Sequence, residues 1–155
     1  MNRVLRIAVT LGLLEALLAG TGTVAAKSPN GKVFDAKFVG LPVKGMVLAG
    51  VTGAGHAWSI ESGKAMIFAN DRVKVIVEGL VLSPEGTQPA PMGAVVVSCN
   101  GGVAAGDIVQ SANVPLSQPD GDAEFDGTLP LPSPCLDPVV FFTSTAGTWF
   151  AEAGG

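Results

Sequence analysis

Eleven prolines and 21 glycines are spread along the chain, and they limit the length of any regular element that it can form. Because proline breaks a helix interior and glycine favours turns, this punctuation disfavours long helices. Between these residues the chain is rich in valine and alternates apolar with polar side chains, most clearly in RVKVIVEGLVL. There Val73, Val75 and Val77 fall on one side of an extended segment. A period of two is typical of a strand with one buried face.

The same alternation recurs along the chain and predicts about ten short strands separated by turns. Two packed antiparallel sheets accommodate so many short strands, so we predict an all-β sandwich, jelly-roll or immunoglobulin-like. A closed β-barrel is the alternative. The run VVFF at 139–142 is apolar on both faces, which predicts either a strand covered on both sides or a subunit contact. The predicted strands are 32–39, 46–49, 56–61, 65–69, 72–82, 94–99, 108–114, 122–129, 139–144 and 148–152.

The first residues have the order of a secretory signal peptide. Arg3 and Arg6 precede an apolar run from Ile7 to Leu18, and the small residues at 24–26 offer a cleavage site. Glu15 interrupts a run already shorter than the roughly 20 residues that a membrane anchor needs. We therefore predict a signal peptide at 1–26 and a single sandwich domain at 27–155, with no integral membrane segment after cleavage. The expected location is secreted, periplasmic or in the cell envelope.

Cys99 and Cys135 are the only cysteines in the chain. Export to an oxidising compartment predicts that they form a disulfide. Cys135 lies in LPLPSPCLDP, whose prolines cannot donate backbone hydrogen bonds, so this segment cannot be a central strand. A covalent tie to Cys99 would hold it against the domain.

The charges are distributed unevenly along the chain. Every Lys and Arg lies at or before Lys74, and every charged residue after Lys74 is acidic. This asymmetry indicates either a binding surface or strands from the two halves that lie side by side and mix their charges. An acidic chain without a basic cluster is unsuited to neutralising phosphates, so we exclude nucleic acid as a partner.

The sequence contains few groups suited to catalysis. It has no GxSxG, HExxH or phosphate-binding glycine motif, and His56 is its only histidine. In GAGHAWSIESG, alternation places His56, Trp58 and Ile60 on one face, which we expect to be the inner one. His56, Trp58 and Trp149 are the candidate ligand-binding residues, because a Trp at a groove can stack on a sugar. Core packing is the simpler interpretation of all three. We predict no catalytic residue and no cofactor.

Acidic residues occupy every second position from Asp120 to Asp126, in PDGDAEFDG. The spacing resembles a calcium loop, but Phe125 and Leu131 stand where an EF-hand needs a glycine and a bidentate acid. In a strand the first and last acids lie roughly 20 Å apart, so they cannot share one ion. The run therefore predicts a solvated strand face, and only Asp120 and Asp122 remain as weak metal candidates.

Several segments together resemble a group of small exported bacterial β-domain proteins of unknown function. The resemblance covers roughly residues 56–154 and rests on a W-x-I start, a GL-x-L strand end, a C…LP-x-P-C pair and a final W-F-A. It implies one secreted, disulfide-tied domain, with Cys99, Cys135 and Trp149 as shared features. It implies no activity and no catalytic residue.

These observations favour an exported, non-enzymatic binding or structural module with a protein or glycan partner. Two alternatives stay open. One is a calcium- or carbohydrate-binding module that uses the acidic run and a tryptophan. The other is a secreted hydrolase, with or without His56, that uses two carboxylates from the set Glu78, Asp120, Asp122, Glu124 and Asp126.

Overall fold

A computed structural model describes residues 30–155; residues 1–29, which include the predicted signal peptide, lie outside the described part. The described residues form no α-helix, and none of their helical turns is long and apolar enough to cross a membrane. A single 3-10 turn spans Asn100–Gly102. The strands are β1 (Lys32–Lys37), β2 (Val39–Gly40), β3 (Val47–Leu48), β4 (Val51–Thr52), β5 (Trp58–Ser59), β6 (Ser62–Phe68), β7 (Arg72–Glu78), β8 (Val81–Leu82), β9 (Met92–Ser98), β10 (Ile108–Gln110), β11 (Val114–Pro115), β12 (Ala123–Thr128), β13 (Val139–Thr143) and β14 (Trp149–Ala153).

The first main sheet has four antiparallel strands in the order β1-β6-β7-β12. Its central strand β7 shows the predicted alternation: Val73, Val75 and Val77 are buried, while Arg72 and Glu78 are exposed. Residues paired across antiparallel strands point to the same side, so the whole sheet has one buried and one solvated face.

The second main sheet has the order β10-β9-β13-β14-β2, with β11 also paired to β9. Strand β13 is buried along its whole length, which confirms the interpretation of VVFF as a strand covered on both sides. The segment 46–53 covers one side of this sheet. Trp149 Nε1 donates a hydrogen bond to the Met46 carbonyl at 3.1 Å, and Gly53 forms an isolated parallel β-bridge with Trp149.

One buried cluster joins the two main sheets, with Val73, Val75 and Val77 on one side and Val95 and Phe142 on the other. The structure is thus an all-β sandwich, as predicted. Its sheets have free edge strands and none closes, so the barrel alternative does not apply. Two small pairs, β3-β4 and β5-β8, complete the described strands.

The predicted strand 32–39 is wrong as a single element, because Phe38 interrupts it. Strand β1 pairs with β6 in the first sheet, whereas β2 pairs with β14 in the second. Phe38 is 6% exposed and lies at the crossing between the sheets, where burial of its ring breaks the alternation. Glycine is required at residue 40, because a Cβ there would lie 2.3 Å from the Trp58 carbonyl oxygen.

The predicted strand 56–61 is reduced to two residues, Trp58 and Ser59, which pair with β8. His56 lies in a bend before them and is exposed. The expectation that His56 shares the inner face is therefore wrong, because the alternation of a strand does not extend into an unpaired bend.

The disulfide predicted between Cys99 and Cys135 is present, with the two sulfurs 2.00 Å apart. The neighbouring Asn100 supports it: its side chain accepts from the Leu136 amide at 3.0 Å and donates to Asp107 Oδ1 at 3.0 Å. Its backbone φ of 54° lies in the left-handed region, which asparagine tolerates better than most residues. The disulfide and Asn100 together attach the proline-rich segment to the end of β9.

Candidate functional site

The three candidate ligand-binding residues do not share an open site. Trp149 is 1% exposed and packs 5.7 Å from Phe141, measured between ring centroids. Trp58 is 6% exposed and packs 4.2 Å from Phe150. Both rings therefore belong to the interior, as the simpler interpretation expects. His56 is exposed and forms no side-chain hydrogen bond or ion pair with any residue in the described range.

The acidic run forms β12 and the turn before it. Burial alternates along the strand, and the outward side chains of Glu124 and Asp126 form ion pairs with Lys74 and Arg72 across β7. The prediction of a solvated strand face is confirmed for these two acids. A metal-binding group of three His, Cys, Asp or Glu side chains does not occur within residues 30–155.

The weak metal candidates Asp120 and Asp122 have different surroundings. Asp122 Oδ1 accepts from the Gly79 amide at 2.9 Å, at a φ of 66° in the left-handed region that favours glycine. Asp122 thereby stabilises the turn after β7. Asp120 is exposed in the turn at 118–120.

The carboxylates named for hydrolysis are largely engaged in structural contacts. Glu78 accepts a hydrogen bond from Ser62, and Asp122 accepts from Gly79, in addition to the two ion pairs of β12. These contacts tie each carboxylate to a neighbouring strand or turn.

The solvated side of the four-stranded sheet, here called the outer face, collects the positive charges. The described residues contain six basic side chains, and all except Lys44 lie on this face, as the strand pairings show. Three apolar side chains, Met66, Phe68 and Ile76, lie among them and are half-buried. The charged residues of the outer face are Lys32, Asp35, Lys37, Lys64, Arg72, Lys74, Glu78, Glu124 and Asp126.

Most of these charges are paired within the face. Asp35 accepts from Lys32 at 2.5 Å and from Lys64 at 3.0 Å, and hydrogen bonding to these two ammonium groups lowers its pKa. A hydrogen-bonded Arg72 similarly lowers the pKa of Asp126. The acidic side chains of the edge strand β12 thus neutralise the basic side chains of its neighbour β7.

Lys37 differs from the other basic residues of the face. Within residues 30–155 no carboxylate lies at ion-pair distance from it. Its Cα partner across the β1-β6 pair is Lys64, so two like charges stand directly opposite each other. Such an arrangement destabilises a sheet, so its presence here indicates a role other than stabilising the fold.

A groove of about 350 Å³ opens beside these two lysines, and we call it the lysine groove. It forms because β1 ends at Lys37 and Phe38 turns away from the outer face into the core. Gly63 permits this turn, since a Cβ at residue 63 would lie 3.1 Å from Phe38 Cβ. The side chains that matter for recognition are those of Lys37, Lys64, Glu61, Ser62 and Ile76.

The lining combines cations with hydrogen-bond acceptors. The exposed Glu61 and Ser62 lie at one side, and the half-buried Ile76 pairs with Lys64 and forms part of the floor. Two ammonium groups, a carboxylate, a hydroxyl and an apolar surface can bind a polar anionic ligand. They contain no paired nucleophile and histidine base, because His56 is not among the lining residues.

Lys44 supplies a natural comparison for the lysines of the groove. It lies in an exposed turn of the segment 42–47, which leads from β2 into the first residue of β3, and it is outside the outer face. The same segment exposes Val43 and Val47 at 57% and 65%. A change of charge at Lys44 therefore alters the net charge of the protein without altering the groove.

The lysine groove was not predicted from the sequence. The predicted strand 65–69 excluded Lys64, and nothing local to either lysine indicates that they face each other. The one usable signal was Lys37 itself, a polar position on an alternating strand. The identity of its neighbour depends on strand pairing and register.

Comparisons of the chain with protein-family models, with curated proteins and with solved structures find no match.

Proposed function

We propose that this protein is an exported, non-enzymatic binding module that binds an anionic ligand in the lysine groove. The observation that carries the proposal is the directly opposed pair Lys37 and Lys64 at the edge of an open groove. Binding an anion between two like charges relieves their repulsion, so the ligand gains an interaction that the free protein lacks.

The surroundings of the pair support this role. Lys64 is held by Asp35, whereas Lys37 has no acidic partner among the described residues and is available to a ligand. The protein is acidic overall, with a formal charge of −4. A local positive groove on an acidic protein favours one approach direction for a small anion and disfavours long polyanions such as nucleic acid.

The proposed location outside the cytoplasm has two supports. One is the predicted signal peptide, and the other is the Cys99–Cys135 disulfide, which is typical of an oxidising compartment. Fractionation of the native cells, followed by detection of the mature chain, tests the location. Recovery in the cytoplasmic fraction with an intact N-terminus would contradict it.

A retention experiment tests the binding function. The mature protein is passed over an immobilised panel of acidic and neutral oligosaccharides, together with the double variant Lys37→Gln/Lys64→Gln. We expect the wild type to be retained by acidic ligands and the double variant to elute early. Lys44→Gln, which removes one positive charge outside the groove, is the control and should be retained like the wild type. Equal elution of all three proteins would refute the proposal.

A further inference from the structure

We infer that the lysine groove takes one carboxylate-bearing sugar residue, such as a uronate unit with neutral neighbours. The inference rests on the proposed binding function and specifies its ligand. Four properties of the groove lead to it: the spacing of its cations, its acceptors, its apolar floor and its size.

The two cations are placed to share one anionic group. Lys37 and Lys64 are direct partners across an antiparallel pair, where Cβ atoms lie about 4.5–5.5 Å apart. Two flexible side chains that start so close can converge on a single carboxylate, with Lys64 also in contact with Asp35 at 3.0 Å. Ile76 follows Lys64 across the sheet, so the row of cations ends at Lys64. The groove therefore recognises one charge, rather than a row of charges.

The hydrogen-bond acceptors at the side of the groove determine which other groups of the ligand can bind next to its carboxylate. Glu61 and Ser62 are exposed there, and the neighbouring Glu78 carboxylate accepts from Ser62. A carboxylate at this position accepts hydrogen bonds from hydroxyl groups and repels further negative charge. A ligand with one carboxylate and several hydroxyls satisfies both sides of the groove. A polyphosphate or a run of acidic residues would place negative charge against Glu61.

The floor and the dimensions also fit a sugar ring. Ile76 is half-buried in the floor, and its remaining exposed surface can pack against the C–H face of a ring. A volume of about 350 Å³ is near the lower end of the range for small-ligand sites, roughly 300–1,000 Å³. The open groove leaves the neighbouring residues of a chain in solvent.

Three probes test the inference by NMR titration of the isotopically labelled mature protein: an oligosaccharide with a single uronate unit, the same oligosaccharide with its carboxyl group reduced to an alcohol, and inorganic polyphosphate. We expect the uronate to shift the amide signals of Ser62, Gly63 and Ile76. The reduced oligosaccharide should bind at least about tenfold more weakly, because it lacks the charged partner of the lysines. Lys37→Gln should weaken uronate binding to a similar degree, while Lys44→Gln leaves it unchanged.

The Glu61→Gln variant separates a sugar from a simple anion. Removal of its charge should strengthen the binding of polyphosphate, whereas uronate binding should stay within a few-fold because glutamine still accepts a hydrogen bond. Polyphosphate that binds the wild type more tightly than uronate, at the same amides, would overturn the sugar assignment but leave an anion-binding module. Failure of all three probes to shift these signals would overturn the proposed function as well.

Discussion

Arg72 and Asp126 lie 54 residues apart in the sequence and form a bidentate ion pair, with Nε 2.7 Å from Oδ1 and Nη2 2.5 Å from Oδ2. The pair spans β7 and β12, and the adjacent pair of Lys74 with Glu124 repeats the arrangement. The basic first part of the chain and the acidic second part therefore meet in one sheet. Of the two interpretations of the charge asymmetry, the side-by-side arrangement is present at this edge.

Replacement of Asp126 by Asn should destabilise the protein in a pH-dependent manner. The hydrogen-bonded guanidinium of Arg72 lowers the pKa of Asp126 below its ordinary value of 3.8 in the folded state. The pair therefore stabilises the fold fully above about pH 4, and its contribution is lost as the pH falls through the lowered pKa. We expect the melting temperature of the wild type to exceed that of Asp126→Asn at pH 7, and the difference to shrink as the pH falls through the lowered pKa. Asp120→Asn, an exposed turn carboxylate, is the control, and an Asp126→Asn difference that is independent of pH would contradict the assignment.

Replacement of Lys37 by Gln should leave the free energy of unfolding unchanged or raise it. It removes one of two opposed like charges, an interaction worth roughly 0.2–1 kcal/mol. Lys64→Gln should not be stabilising to the same degree, because it also removes the ion pair with Asp35. Urea denaturation of the two variants measures the difference. A loss of stability in Lys37→Gln equal to that in Lys64→Gln would show that the pair carries no repulsion.

Asn100 should contribute to stability through both its side chain and its backbone conformation. Asn100→Gly keeps the left-handed backbone accessible but removes the bonds to Asp107 and Leu136, so we expect a loss of about 1–3 kcal/mol. Asn100→Ala should lose about 1–2 kcal/mol more, since alanine is strained at a φ of 54°. The Asn100 amide is also the main cause of the lowered pKa of Asp107, so this pKa should rise in both variants. Thermal melting and an NMR titration of Asp107 check the two effects.

Removal of the disulfide by Cys99→Ser/Cys135→Ser should lower the free energy of unfolding by roughly 3–4 kcal/mol, because the bridge closes a loop with a separation of 36 residues. Chemical denaturation with and without a reducing agent measures the loss. The wild type should lose stability on reduction, and the double variant should be insensitive to it. A wild type that is equally stable in both conditions would show that the bridge does not stabilise the fold.

The two buried tryptophans should respond differently to replacement by Phe. The Trp149 indole donates to the Met46 carbonyl, whereas the Trp58 Nε1 is buried without a hydrogen-bond partner among the described residues. Trp149→Phe therefore loses a hydrogen bond in addition to volume, and we expect it to cost about 1 kcal/mol more than Trp58→Phe. Guanidinium denaturation compares the two variants. Equal losses would mean that the Met46 contact carries no net stability, and neither variant should alter binding in the lysine groove.

Much of the architecture was predictable because it depends on local pattern. Val73, Val75 and Val77 alternate with charged or less buried neighbours, and a period of two selects one face of a strand whichever strand becomes its partner. The disulfide was predictable for a different reason, since the chain offers only one pair of cysteines.

The sequence alone therefore determined an all-β chain, the buried face of its central strand and the partner of each cysteine. Only the tertiary structure decided that Phe38 ends β1, that His56 lies in an exposed bend and that Lys37 faces Lys64. These features depend on which strands pair and in which register, and a local alternation is compatible with many pairings. The candidate site arises from such a pairing, because neither lysine forms a groove until the end of one strand lies beside the start of another.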